Sequence, residues 1–174
     1  MSLHVVSDIR KQDLSLSKSG YQKIIGLRDL YPKALAEKRK LEQSIDGAIK
    51  GFLKISNPDK TIRIPIRVIL AVMEIEAWFL AEHNFLARLD ERLTPDFILK
   101  HYGFDLRTID IETREHPSQD LDEIYQLIDR TYNKSLRTAQ EIVAYLDYKS
   151  LYLELAKTVP QLQKLIDEID RFMQ

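Results

Sequence analysis

The sequence predicts an α/β fold: a small, mainly parallel sheet with flanking helices, followed by a helical C-terminal half. Three observations carry that expectation. Two compact apolar runs, KIIGLRD and RIPIRVILAV, stand on either side of one amphipathic helical stretch. Strand, helix, strand in that order is a βαβ unit, which implies a parallel pair joined by a right-handed crossover. Neither run alternates cleanly between apolar and polar, so each is expected to be covered on both faces. After Trp78 the pattern is helical almost throughout. One domain is expected over residues 1–174, an α/β half over 1–80 and a helical half over 81–174.

In chain order, HVVSDI (4–9) is short and β-branched and reads as a strand, and KQDLSLSKSG after it reads as a polar turn. Lys23–Asp29 is the first strand of the βαβ unit. From Pro32 to about Lys54 the pattern is helical, with Leu35, Leu41, Ile45, Ile49 and Phe52 at helical spacing and Pro32 in the first turn. SNPDK is a loop. In RIPIRVILAV, Pro65 places the first half of the strand near an edge. Thr94-Pro95 opens a short helix to His101 that Gly103 ends. Ser118 is expected to cap a helix to about Thr131, and Ser135 one to Leu146. Two more follow around Pro160, where the amphipathic LAKTVPQLQKLIDEIDRFM is expected to close the core. Trp78 is expected to pack the first helix of this half onto the sheet.

Composition removes several function classes. With 26 basic against 27 acidic residues, no global field favours nucleic acid or an anionic membrane, which leaves a local basic patch open. KALAEKRK is such a run, but Glu37 and Glu42 interrupt it, and it reads as a solvated helix face. Cysteine is absent, so disulfides, thiolate catalysis and Cys-zinc sites are excluded, in keeping with a reducing, cytoplasmic location. No apolar run reaches the roughly 18 residues of a membrane-spanning helix. His4, His83, His101 and His116 lack zinc-site spacing, and the 5 glycines form no phosphate-binding loop.

Two glutamates follow directly on the uncharged run Val68–Met73. Parallel sheets gather their working groups at the carboxyl ends of the strands. Asp29 ends the first strand of the unit, and Glu74 and Glu76 end the second. Adjacent strands would bring all three carboxylates to one rim. If the segment is extended, Glu74 and Glu76 share a face; if a helix starts at Glu74, they diverge and Glu76 alone points inward. Carboxylates clustered without His or Cys favour a hard cation, Mg²⁺ or Mn²⁺. Acids at exposed strand ends or helix starts are also ordinary features of a fold.

The ordered segments IIGLRDLYP, RIPIRVILAVMEIEAWFLAE, HPS and YNKSLRTAQEIVAYLD resemble an uncharacterised bacterial family. It is known as a domain of unknown function regarded as TOPRIM-like. The resemblance runs from about Lys23 to the C-terminus. It implies a parallel sheet with a metal site made by acids at strand ends, as in topoisomerases, primases and overcoming-lysogenisation-defect nucleases. It matches Asp29, Glu74 and Glu76 to metal ligands, with Glu74 and Glu76 also in the catalytic role. Lys134 matches the family lysine and, with Arg137, is expected to bind phosphate near a helix N-terminus. Pro117-Ser118 matches a Pro-Ser element. The sequence departs from the pattern where Tyr31 stands in place of a second acid and Gln119 in place of a basic residue. The first TOPRIM strand and its glutamate are expected to be missing. Two functions follow: a Mg²⁺-dependent, nuclease-like phosphodiester enzyme acting on nucleic acid, or a non-catalytic module partnering an ATPase in a defence-type system.

Overall fold

The computed structural model describes residues 4–55 and 64–174. The two apolar runs form β1 (Ile24–Asp29) and β2 (Ile66–Ala71), paired in parallel with Ile24 opposite Ile66 and Asp29 opposite Ala71. The crossover between them carries a short 3-10 turn (Leu35–Glu37) and helix α2 (Lys38–Ile55). Period-2 side-chain alternation divides the sheet between two apolar clusters. Ile66 and Leu70 face Leu41, Ile45 and Ile49 of α2 and Ile9 of the N-terminal helix. Ile69 and Ala71 face the larger core that contains Trp78, Phe85 and Ile124. This explains the missing polar alternation in β2; β1 departs from the expected cover on both faces, for none of its residues is buried and Leu27 is 41% exposed. Each fully covered aliphatic side chain contributes roughly 1.5–3 kcal/mol.

The helical half comprises α3 (Glu76–Ala81), α4 (Asn84–Leu89), α5 (Pro95–Tyr102), α6 (Pro117–Gln126), α7 (Leu136–Tyr145), α8 (Tyr148–Leu153) and α9 (Pro160–Met173). Two further 3-10 turns lie at Ile111–Thr113 and Leu155–Lys157. The α5 ends are as expected: the Thr94 side chain accepts from the Phe97 N–H, Pro95 is the first helical residue, and Gly103 adopts φ 90°. Ser135 caps α7 by accepting from the Thr138 N–H. Pro160 opens α9, whose Leu162 and Ile166 join the large core. Lys23 fastens α9 to the amino end of the sheet, bonding Glu168 Oε2 at 2.8 Å and its carbonyl oxygen at 2.7 Å. No described helix is long and apolar enough to cross a membrane.

Several expectations are corrected. HVVSDI is not a strand, and the polar stretch after it is not a turn: both lie in α1 (His4–Lys18). No Gly or Pro interrupts the chain from His4 to Ser19. Gly20, at φ 82°, closes the helix in a Schellman arrangement, with the Tyr21 N–H on the Leu16 carbonyl and the Gly20 N–H on that of Ser17. Three β-branched residues were too short a window to weigh against that length. Pro32 lies in a turn after a cis Tyr31-Pro32 bond and not in the first turn of α2; Leu35 is exposed. Ser118 is no cap: His116 precedes α6, Pro117 is its first residue, and the helix ends at Gln126 instead of Thr131. SNPDK and the Phe52 side chain lie outside the described residues.

Candidate carboxylate–lysine site

The rim forms where the two strands end together. After Ala71 the pairing continues past the last ladder residue: the Leu30 N–H donates to the Ala71 carbonyl at 2.9 Å and the Tyr31 N–H to the Met73 carbonyl at 2.7 Å. Met73 takes φ 58°, a left-handed conformation that costs a non-glycine residue roughly 1 kcal/mol. That turn redirects the backbone, and α3 begins three residues later. The connection is thus neither of the alternatives open in the sequence. Glu74 lies in the link and Glu76 is the first residue of α3, yet both side chains are buried and both reach the same cation.

That cation is Lys134, just before α7. Its Nζ lies 2.5 Å from Glu74 Oε1 and 3.8 Å from Glu76 Oε2. Glu74 Oε2 accepts from the backbone N–H of Ser118 at 3.0 Å, in the first turn of α6. The hydroxyl of buried Tyr132 donates to Glu76 Oε1 at 2.6 Å. Glu76 Oε2 is buried and has no hydrogen-bond partner. Asp29 accepts from the Ile75 N–H through Oδ1 at 3.0 Å, tying the end of β1 to the start of α3. Four separate segments therefore converge here.

The charges are coupled. Burial raises the pKa of Asp29, and the nearby negative charge of Glu76 raises it further, outweighing the Ile75 N–H bond and Lys134. Burial also opposes the charge on Glu74, but the Lys134 ammonium and the Ser118 N–H prevail and hold its carboxyl below the usual range. Burial works against the Lys134 charge too, and is outweighed by Glu74, Glu76 and Asp29, so its pKa rises. Tyr132 is pushed well above an ordinary phenol by burial and by its bond to Glu76, so it remains a donor. Lys134 is half exposed, whereas both glutamates are almost wholly covered.

The rim thus brings together Asp29, Glu74, Glu76 and Lys134. Arg137 is exposed on the first turn of α7 and joins none of these contacts. Sequence reasoning assigned no role to Tyr132, although YNK carried it two residues before Lys134, nor to the Ser118 N–H and Met73. Among the described residues, no group of three or more His, Asp or Glu side chains is arranged to hold a metal ion. Oxygen-only donors are of the type that suits a hard cation: Glu76 Oε2 accepts no hydrogen bond, with Lys134 Nζ 3.8 Å away, and Asp29 engages the Ile75 N–H through Oδ1. Mg²⁺ commonly takes one or two carboxylates and keeps several waters, so it does not require a complete protein cage. Comparison with known protein families, with curated proteins and with solved structures finds no match to this chain.

Proposed function

We propose that the rim is the working site of a TOPRIM-like, nuclease-like domain that processes phosphodiesters with Mg²⁺ or Mn²⁺. The observation that carries this reading is the buried Glu76 Oε2, which accepts no hydrogen bond and has only the Lys134 ammonium 3.8 Å away, beside Asp29 and just past the carboxyl ends of two parallel strands. A carboxylate oxygen in that position is costly unless something positive approaches it. In this reading Asp29 and Glu76 hold the ion, and Glu74 supports it. The ion, when bound, polarises a phosphoryl oxygen and activates water. Tyr132 fixes the Glu76 carboxylate through its 2.6 Å bond. Lys134, half exposed and held by Glu74, is the cation that meets a backbone phosphate of nucleic acid.

A second reading has its own observation. Lys134 already neutralises Glu74, and no three-donor group stands ready among the described residues. In that case the same cluster is a structural ion pair in a non-catalytic module, one that partners an ATPase in a defence-type system. Calorimetric titration with Mg²⁺ and Mn²⁺ separates the two. The enzyme reading expects saturable binding that D29N and E76Q abolish, together with metal-dependent cleavage of a DNA or RNA substrate. Heats indistinguishable from dilution, and melts indifferent to either ion, would leave the interaction module as the reading.

A further inference from the structure

At the other end of α3 the chain builds a second site. Glu82 follows α3 directly and is 2% exposed. Its Oε2 is engaged, accepting from the Asp147 N–H at 3.3 Å and lying 3.5 Å from Arg88 Nη1. Its Oε1 is buried without a hydrogen-bond partner, and so are His83 Nδ1 and Glu112 Oε1. All three residues line one cavity of about 500 Å³. Its walls are the α3–α4 junction, the 3-10 turn Ile111–Thr113 and the segment from Ser150 to Val159. That volume falls within the range of small-molecule sites, roughly 300–1,000 Å³.

Three covered polar atoms without hydrogen bonds, all on residues of one cavity wall, are unusual, since buried polar groups normally find partners. The charged lining is mostly acidic, and Arg88 reaches Glu82 from outside it. Glu82, Asp110, Glu112 and Glu154 line the cavity against a single guanidinium, that of Arg107. Arg107 is engaged elsewhere, at 2.8 Å from both Asp96 and Asp105. Leu106, Ile111, Leu155 and Val159 add an apolar wall. Burial pushes the Glu82 and Glu112 carboxyls upward, outweighing Arg88 and Asn84 at Glu82 and the more distant Lys38 and Lys164 at Glu112.

We propose that this cavity binds a small organic cation of the guanidinium or amidinium class, its N–H groups on Glu82 and Glu112 and its hydrocarbon portion against the apolar wall. Such a head presents several N–H donors in one plane, which suits separated carboxylate and imidazole acceptors better than the single point charge of a metal ion. Among the described residues no cluster there is arranged for a metal. The proposal is independent of the function assigned to the rim: Glu76 and Glu82 stand at opposite ends of α3, about 9 Å apart along its axis.

The test is calorimetric titration of the full chain with butylguanidinium, and with butylurea as its neutral counterpart. Saturable binding of one equivalent of butylguanidinium is expected, with butylurea weaker by tenfold or more. E82Q and E112Q should each weaken the cation at least tenfold, and D29N should leave it unchanged. Because E82Q alters a buried group, T108W provides a second route: Thr108 is an exposed residue of the cavity wall, and an indole there should obstruct entry. Absence of binding, equal affinity for the urea, or binding that survives E112Q and T108W would overturn the proposal. So would loss of binding in D29N, which would place the cation at the rim. The blocked tripeptide Ala-Arg-Ala binding tenfold more tightly than butylguanidinium would overturn the free-molecule assignment in favour of a partner's arginine.

Discussion

Replacing Lys134 by Met keeps the length and apolar stem of the side chain and removes its charge. Glu74 and Glu76, with side chains 5% and 3% exposed, would then share a covered rim with Asp29 and no ammonium. Removing one partner of a fully buried pair costs about 3–5 kcal/mol. Lys134 is 51% exposed, so water already screens part of the interaction, which scales the loss to roughly 1–2 kcal/mol. For a chain of this length that corresponds to a fall in Tm of about 2–8 °C. Thermal unfolding followed by circular dichroism at neutral pH and low salt reads it directly. E74Q on the K134M background should recover part of the loss, because the two side chains interact directly. Millimolar Mg²⁺ should restore the Tm of K134M, whereas NaCl of equal ionic strength should not. A K134M protein melting within about 1 °C of wild type would refute the reasoning, since it would mean that water, not Lys134, sustains the two carboxylates.

The neighbouring groups give three further expectations. D29N keeps an oxygen for the Ile75 N–H while removing a charge that burial and Glu76 disfavour, so without metal it should raise Tm by about 1–3 °C at neutral pH. The elevated Asp29 pKa means that its ionised form opposes folding as pH rises, so this gain should vanish in acid, which a pH series of melts checks. Y132F deletes the donor to Glu76 and should cost about 1.5–3 kcal/mol, measured by urea unfolding. Glu74 has the opposite sign. Its depressed pKa stabilises the fold above the ordinary carboxylate range, and that contribution is lost as pH falls through its folded-state pKa. The stability difference between wild type and E74Q should therefore be full at neutral pH and close in acid; a difference that persists at low pH would contradict the assignment.

Much of this architecture was legible in the chain. KIIGLRD and RIPIRVILAV announced strands, and their order required a parallel pair; only the second is covered on both faces, because Leu27 of the first stays exposed. Thr94-Pro95, Gly103, Ser135 and Pro160 marked helix ends through chemistry that acts within a turn. HVVSDI misled because β-branching over six residues is weaker than an uninterrupted helical stretch closed by Gly20. Ser118 misled because it does not cap α6: its backbone N–H and its side chain serve Glu74, 44 residues away.

By itself the sequence determined the strand–helix–strand order, an acid at the end of the first strand and two shortly after the second, and the lack of thiol chemistry, all properties of local pattern and residue type. Only tertiary structure decided what those acids meet. The left-handed turn at Met73, the Tyr132 hydroxyl, the Ser118 N–H and the Lys134 ammonium reach the rim from separate segments, and their effect depends on distance and burial. The cavity beside Glu82 is a stronger case still: its wall joins residues 81–84, 106–112 and 150–159, and no spacing of residues along the chain encodes that meeting.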